Sequence, residues 1–320
     1  MINKNTEPAK LVIYNRDGLI EEEHFGYVIR CDKMHIVEQI GEDKNYPFYL
    51  RSCAKPLQAS LIIDYELDKK YNLTEEEIAV CAASHAGEKI HVDTVKRILD
   101  KFEIPISKLK CGEHQPISKT AQEELLLEGK QPTALHNNCS GKHAMMLGLC
   151  KLNDWDMDNY DNIHHPLQQE IKKKIYTLCE VKTEYPITKD GCGVPILSMP
   201  LKNIVKGYLN LFCNPKYDKL KNAFLNHPYI IGGENRTDTK IIENSKNLVA
   251  KVGASGLCVV VNTELEEAFI VKICDADMKA REFVTIDLIN NLRWANIKIS
   301  HEIQTNRHET IGTVSTLLSI

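Results

Sequence analysis

Ser52 and Lys55 stand three residues apart in Arg51-Ser52-Cys53-Ala54-Lys55, a spacing that on a helix puts both side chains on one face, a turn apart. A serine hydroxyl is a poor nucleophile until a base takes its proton. A lysine amine can act as that base only when burial or a neighbouring cation brings its pKa well below about 10.4. Arg51 is such a neighbour, and the run Leu57 to Ile63 supplies the burial. Spacing alone is weak evidence, because Ser107-Lys108-Leu109-Lys110 repeats it in a solvated connection. Position is stronger evidence: the pair opens a buried helix after an extended segment, where helix-terminal amides can polarise a carbonyl.

Other residues could join that chemistry. Ser84-His85-Ala86-Gly87-Glu88 adds a hydroxyl, an imidazole and a carboxylate just after an apolar helix, although a helix-capping serine would read the same way. Lys272 lies between Val271 and Ile273 in an apolar strand, ordinary on a solvated face but a base or carboxylate anchor if it faces a site. Cys139 and Cys192 sit in glycine-containing polar loops, Asn137-Asn138-Cys139-Ser140-Gly141-Lys142-His143 and Asp190-Gly191-Cys192-Gly193-Val194-Pro195. Glycine there lets backbone approach a ligand closely. Two thiolates suit zinc, whereas a lysine ligand must first lose its proton. No paired Cys-x-x-Cys pattern is present, and Cys111-Gly112-Glu113-His114 is a weaker metal candidate.

The elements that must hold these residues are legible in outline. The N-terminus reads as a β-meander: Leu11 to Tyr14, an Asp17-Gly18 turn, Phe25 to Arg30, and His35 to Val37. After Pro47 the period changes, predicting a buried helix over 52–63. Thr74 and Glu77 form a capping box for a helix through Cys81. Val92 to Phe102 is amphipathic, residues 103–136 are loop-rich with a short helix over 121–127, and helices follow over 140–152 and 166–180. Gly256 to Val261 and Ala268 to Ile273 predict a hairpin, followed by a helix over 278–292. Strands near both ends with helices between imply one intertwined α+β unit over 1–320, its sheet from about 10–50 and 250–295 and its helical, loop-rich part from about 51–250.

Composition excludes several classes. The chain has 320 residues, 43% hydrophobic and 26% charged, with net charge −4, which is ordinary for a globular protein and gives no electrostatic footprint for nucleic acid. No apolar run reaches a membrane span, and Met1 to Lys10 lacks the apolar stretch of a secretory signal, so a cytoplasmic location is expected. The cysteines number 11 and are scattered without a disulfide framework; most are expected reduced and buried as small hydrophobes.

Taken in order, Arg51-Ser52-x-x-Lys55-Pro56, Ala83-Ser84-His85-x-Gly87-Glu88, Cys111-Gly112-x-His114, Asn137-x-Cys139-Ser140-Gly141-Lys142-His143 and Asp190-Gly191-Cys192-Gly193-x-Pro195 resemble the rhizobial-type (class 3) L-asparaginase family. The resemblance runs from about residue 10 to about residue 290. It implies a fold like that of serine β-lactamases and penicillin-binding proteins, a mixed sheet flanked by helices with a helical subdomain. It also implies a homodimer that hydrolyses L-asparagine to aspartate and ammonia, two serine–lysine tandems (Ser52 with Lys55, Ser84 with Lys272), and a zinc held by Cys139, Lys142 and Cys192. On that reading Ser52 is the nucleophile and Lys55 its base, with Ser84 and Lys272 relaying a proton to the leaving ammonia. Arg51 or Arg236 meets the substrate carboxylate, Asp190 or Glu88 its ammonium, and His143 stands beside the zinc-site lysine.

Rival readings are a glutaminase, another serine amidase of this architecture, and a non-catalytic zinc-dependent amino-acid sensor. The Ser-Asp-Asn and Lys-Thr-Gly elements of the cell-wall enzymes are absent. The segment Gly233-Glu234-Asn235-Arg236 departs from the family pattern, which bears on substrate preference more than on fold.

Overall fold

The computed structural model describes residues 6–318. Its strands are Ala9–Arg16 (β1), Leu19–Cys31 (β2), Ile36–Ile40 (β3), Phe48–Tyr49 (β4), Ile187–Lys189 (β5), Pro195–Met199 (β6), Leu248–Gly253 (β7), Leu257–Asn262 (β8), Glu267–Ile273 (β9), Glu302–Gln304 (β10) and Thr310–Thr316 (β11). The main sheet has eight strands in the order β10-β11-β1-β2-β9-β8-β7, with β3 added on β2. Every pairing in it is antiparallel. The expected meander and hairpin are therefore present, and β2 joins them through Tyr27 opposite Lys272. β10 and β11 lie beyond the span expected for the sheet. Thr310–Thr316 has a threonine at every third position, and only Val314 in it is buried.

Strands β7 and β8 are buried along their whole length, and β9 after its first residue. That requires cover on both faces of the sheet. Helix Met278–Asn291 packs against β8 and β9 as well as β1, and helix Leu201–Phe212 against β2, β8 and β9. Burial on both sides explains the unbroken apolar runs in place of the usual alternation. Among the described residues no helix is long and apolar enough to cross a membrane.

Two helices carry most of the chemistry-bearing residues. Lys55–Asp64 is buried through Ile62, and Ser140–Leu152 through Cys150. Between them runs helix Glu75–Ala82, started by the expected capping box: Glu77 N donates to Thr74 Oγ1 at 3.2 Å, and Thr74 N to Glu77 Oε2 at 2.8 Å. This helix meets Ser140–Leu152 at Gly141, where a Cβ would come within 2.1 Å of the Val80 carbonyl oxygen. Only glycine permits that approach.

The small sheet β4-β6-β5 has the second positioning role. Phe48 pairs with Met199 and Tyr49 with Ser198, while Ile187, Thr188 and Lys189 pair with Leu197, Ile196 and Pro195. Leu50 N then donates to Leu197 O at 3.0 Å. The segment entering Ser52 is thereby tied to the hairpin whose turn carries Asp190 and Cys192.

Candidate active site

Ser52 lies in a single 3-10 turn, Arg51–Ala54, that runs directly into helix Lys55–Asp64. The residue before it, Arg51, has φ +48°, a left-handed conformation costly for a side-chain-bearing residue. Lys55 is fully buried, and its amine donates to Ala83 O at 2.6 Å and Asn138 O at 2.8 Å. Burial lowers its pKa to about 8, with the Lys142 and Lys251 charges adding to the effect against Cys139 and Cys192. A neutral amine has two N–H bonds and one lone pair. Here the two carbonyls take both N–H bonds, which leaves the lone pair for a hydroxyl proton.

Ser84 follows the carbonyl that Lys55 holds. Helix Glu75–Ala82 ends because Ala83 turns extended (ψ 158°), and Ser84 N donates to Ile231 O at 3.1 Å. Its hydroxyl is buried and has no hydrogen-bond partner among the described residues. Such an unpaired buried hydroxyl needs a partner that substrate or water can supply.

The two cysteine loops converge through Lys142 and Cys192. Cys139, Lys142 and Cys192 are all buried. Lys142 Nζ donates to Cys192 Sγ at 3.1 Å, and Cys139 Sγ donates to Asn138 Oδ1 at 3.2 Å. Interaction with Cys192, helped by the Lys55 and Lys142 charges, holds the Cys139 thiol well below the ordinary range against its burial. The same interaction pushes Cys192 up. Burial disfavours the Lys142 ammonium, but the two sulfurs outweigh it and raise its pKa. Two sulfurs and one nitrogen, the nitrogen in contact with Cys192, are a donor set that fits a zinc ion with one position open, once Lys142 loses its proton. Among the described residues no three His, Cys, Asp or Glu side chains gather for a metal, so the lysine is indispensable to that set. Cys111 instead donates to Ala134 O, and His114 is exposed and bonded to Gln115 O.

His143 lies on the same helix, fully buried. Lys110 N donates to the Tyr160 hydroxyl at 2.9 Å, and that hydroxyl lies 2.7 Å from His143 Nδ1. Nε2, the other ring nitrogen, is buried and without a partner among the described residues. Burial, then Lys142 and Lys55, keep this ring neutral. His85 is also neutral through burial; its Nε2 meets Ser140 Oγ at 2.9 Å while Nδ1 accepts from Gly87 N. It stacks on His91 at 5.1 Å, and His91 on Tyr229 at 6.0 Å.

Of the residues expected to hold substrate, Arg51 and Asp190 are together: Arg51 Nε donates to Asp190 Oδ1 at 2.9 Å. Glu88 is engaged elsewhere, accepting from the Tyr229 hydroxyl and, at 3.3 Å, from Glu234 N. Arg236 is half-buried, just before helix Thr237–Glu243, and its charge helps lower Asp238.

Ser84 and Lys272 are not brought into contact. Lys272 Nζ donates to the next carbonyl, Ile273 O, at 2.5 Å and lies 6.0 Å from the Phe48 ring centroid. A different lysine occupies the inner position. Lys251, fully buried on β7, is among the charges acting on Lys55, and its carbonyl accepts from Cys53 Sγ at 3.5 Å, the residue after Ser52. Lys251 is opposite Val259, Val259 opposite Ile270, and Ile270 is two residues from Lys272. The two lysines therefore share a face, two strands apart. The signal that singled out Lys272, a lysine within an apolar strand, is equally present in Leu248-Val249-Ala250-Lys251-Val252-Gly253.

A family model described as L-asparaginase II matches residues 12–316. No curated protein matches the chain. Among solved structures the chain is similar to a β-lactamase (Mb2281c) from Mycobacterium bovis, with TM-score 0.43 and 11% identity over 83% of this chain and 94% of that one. It is also similar to a protein assigned as a β-lactamase from Bacteroides dorei, with TM-score 0.41 and 10% identity over 78% of this chain and 84% of that one. Scores this low carry no argument about the chemistry.

Proposed function

The chain belongs to the L-asparaginase II family and is a hydrolase of that class; we propose that it works as a serine–lysine amidohydrolase on L-asparagine. Ser52 Oγ attacks the side-chain amide carbon while the Lys55 lone pair takes the hydroxyl proton. The tetrahedral intermediate collapses as its C–N bond breaks and Ser84, reprotonated by the Lys251 ammonium, gives a proton to the nitrogen, releasing ammonia and leaving an aspartyl ester on Ser52. Water then returns a proton through Ser84 to Lys251 as it attacks the ester, and Ser52 recovers its own proton from Lys55 as aspartate leaves.

Ser84 is the donor to the departing nitrogen in this reading. Lys251 takes the role that the resemblance suggested for Lys272, because Lys251 is fully buried beside Cys53 and acts on Lys55. Arg51 and Asp190 present opposite charges for the substrate's carboxylate and ammonium, and His143 Nε2 is a further unpartnered polar atom among the described residues. Cys139, Lys142 and Cys192 would hold a zinc ion, which when bound supplies a Lewis acid beside the site. The homodimer implied by the resemblance belongs to the same proposal and is checked by sedimentation.

One observation carries the mechanism: Lys55 is a buried amine with both N–H bonds committed to the Ala83 and Asn138 carbonyls. The test is ammonia release from L-asparagine and from L-glutamine by the purified protein, beside Ser52→Ala, Ser84→Ala, Lys251→Met and Lys272→Met. Rapid release from asparagine, lost in the first three and kept in Lys272→Met, is the expected result. Activity retained in Ser52→Ala and lost in Ser84→Ala would reverse the serines. Silence on asparagine with turnover of glutamine would change the substrate, since one methylene in a pocket discriminates by only about 1–3 kcal/mol.

A further inference from the structure

Asp238 is fully buried in the first turn of helix Thr237–Glu243 and is bonded to Lys251 across the edge of β7. Its Oδ2 lies 3.1 Å from Lys251 Nζ and also accepts from Val252 N at 3.3 Å. Lys251 Nζ makes a second bond, to Val252 O at 3.0 Å. An ammonium has three N–H donors. Two are committed to Asp238 and Val252, and the third is the one left for the site.

The other carboxylate oxygen, Oδ1, has no hydrogen-bond partner among the described residues. It packs against Gly232, where a Cβ would come within 2.7 Å of it and of Thr239 Oγ1. Gly232 follows Ile231, whose carbonyl accepts from Ser84 N. Asp238 therefore touches the lysine with one oxygen and the segment that seats the serine with the other.

We propose that Asp238 is a positioning residue that fixes Lys251 against Ser84 for proton delivery to the leaving group. The inference rests on the role given to Lys251 above. A buried ion pair is weak evidence for stability, since well-packed apolar residues of similar volume often serve a fold as well. A pair that ties Lys251 to the Ile231–Gly232 segment seating Ser84 has a reason to be ionic.

The test compares L-asparagine with an aspartate β-(4-nitrophenyl) ester in wild type, Asp238→Asn, Lys251→Met and the double variant. The ester's leaving group departs without protonation, so it bypasses the step that Asp238 serves. Asp238→Asn should lower kcat on asparagine at least tenfold with KM little changed, and should keep most of the ester activity. In the Lys251→Met background it should add nothing further on asparagine. Equal losses on amide and ester, or losses that multiply in the double variant, would overturn the inference and leave Asp238 a structural tie. Full amide activity in Lys251→Met would remove the reading of Lys251 and this inference with it. Loss in Lys251→Met with none in Asp238→Asn would remove this inference alone. Should Asp238→Asn fail to fold, Gly232→Ala displaces the same carboxylate from the other side and is expected to give the same split between amide and ester.

Discussion

Arg51 and Asp190 are 139 positions apart in sequence and joined by one hydrogen bond, Arg51 Nε to Asp190 Oδ1 at 2.9 Å. The bond ties the turn carrying Ser52 to the hairpin carrying Cys192. It complements the backbone link from Leu50 N to Leu197 O. A second contact, from the Arg51 guanidinium to Ser255 Oγ at 3.1 Å, extends it to the turn after β7. One side chain thus joins three segments around the site.

The left-handed backbone at Arg51 separates two contributions. Arg51→Ala removes the ion pair and keeps the strain, whereas Arg51→Gly removes both. Both variants should lose most activity, but Arg51→Gly should be more stable than Arg51→Ala by about 1 kcal/mol. Urea unfolding of the two proteins measures the difference, and an Ala variant as stable as the Gly variant would show that the backbone is unstrained there.

Asparagine turnover should rise with pH and level off above about 8. The proposed mechanism uses Lys55 as its neutral amine, and burial has brought its pKa to about 8. Lys55→Arg keeps the charge but cannot lose its proton at working pH, so it should lower kcat by roughly 10²–10⁴-fold. The linkage has the matching sign. The folded-state pKa lies below the unfolded value near 10.4, so the unfolded chain binds more protons between these pH values, and this group's contribution to stability rises with pH across that window. The pH dependence of kcat/KM, set beside denaturant unfolding at pH 7 and pH 9.5, checks both signs.

Gly141→Ala should destabilise the protein by about 1–3 kcal/mol, because its Cβ would meet the Val80 carbonyl oxygen at 2.1 Å. The helix it displaces carries Lys142 and His143, so activity should fall more than stability alone explains. Thermal melting and ammonia release at a temperature where the variant stays folded separate these effects. Unchanged values of both would mean that the two helices adjust without moving the site.

Purified protein should carry one zinc per chain, measured by elemental analysis. Cys139→Ser and Cys192→Ser should each carry less than about a tenth of that. Chelation should lower the melting temperature, since an ion bound only by the folded state adds to its stability. A full complement of zinc in both variants would place the metal elsewhere.

Much of the frame is written in local sequence, for local physical reasons. The Thr74–Glu77 capping box forms between residues three apart, and the helices 140–152 and 278–291 follow from unbroken helical patterns between clear stops. The motifs around Ser52, Cys139 and Cys192 are contiguous, so their polar and glycine character stands out from the apolar background. The strands β10 and β11 left no such mark: β10 is a three-residue edge strand with no buried residue, and β11, paired on both sides, buries only Val314.

What tertiary structure decided is which of the marked residues meet. Lys251 and Lys272 look alike in sequence, each a lysine among β-branched neighbours. Sheet order separates them: Lys251 is on the terminal strand β7 against Cys53 and Asp238, while Lys272, two strands inward, donates to its neighbour's carbonyl and lies over Phe48. Glu88 and Asp190 were equal candidates for one charge, and the packing of residues 229–234 engages the first while the β5–β6 hairpin turns the second toward Arg51. Local pattern determines which residues are able to do chemistry, because helix and strand periods are set by near neighbours. Which of them act together depends on long-range strand pairing and helix contact, which no single stretch of this sequence contains.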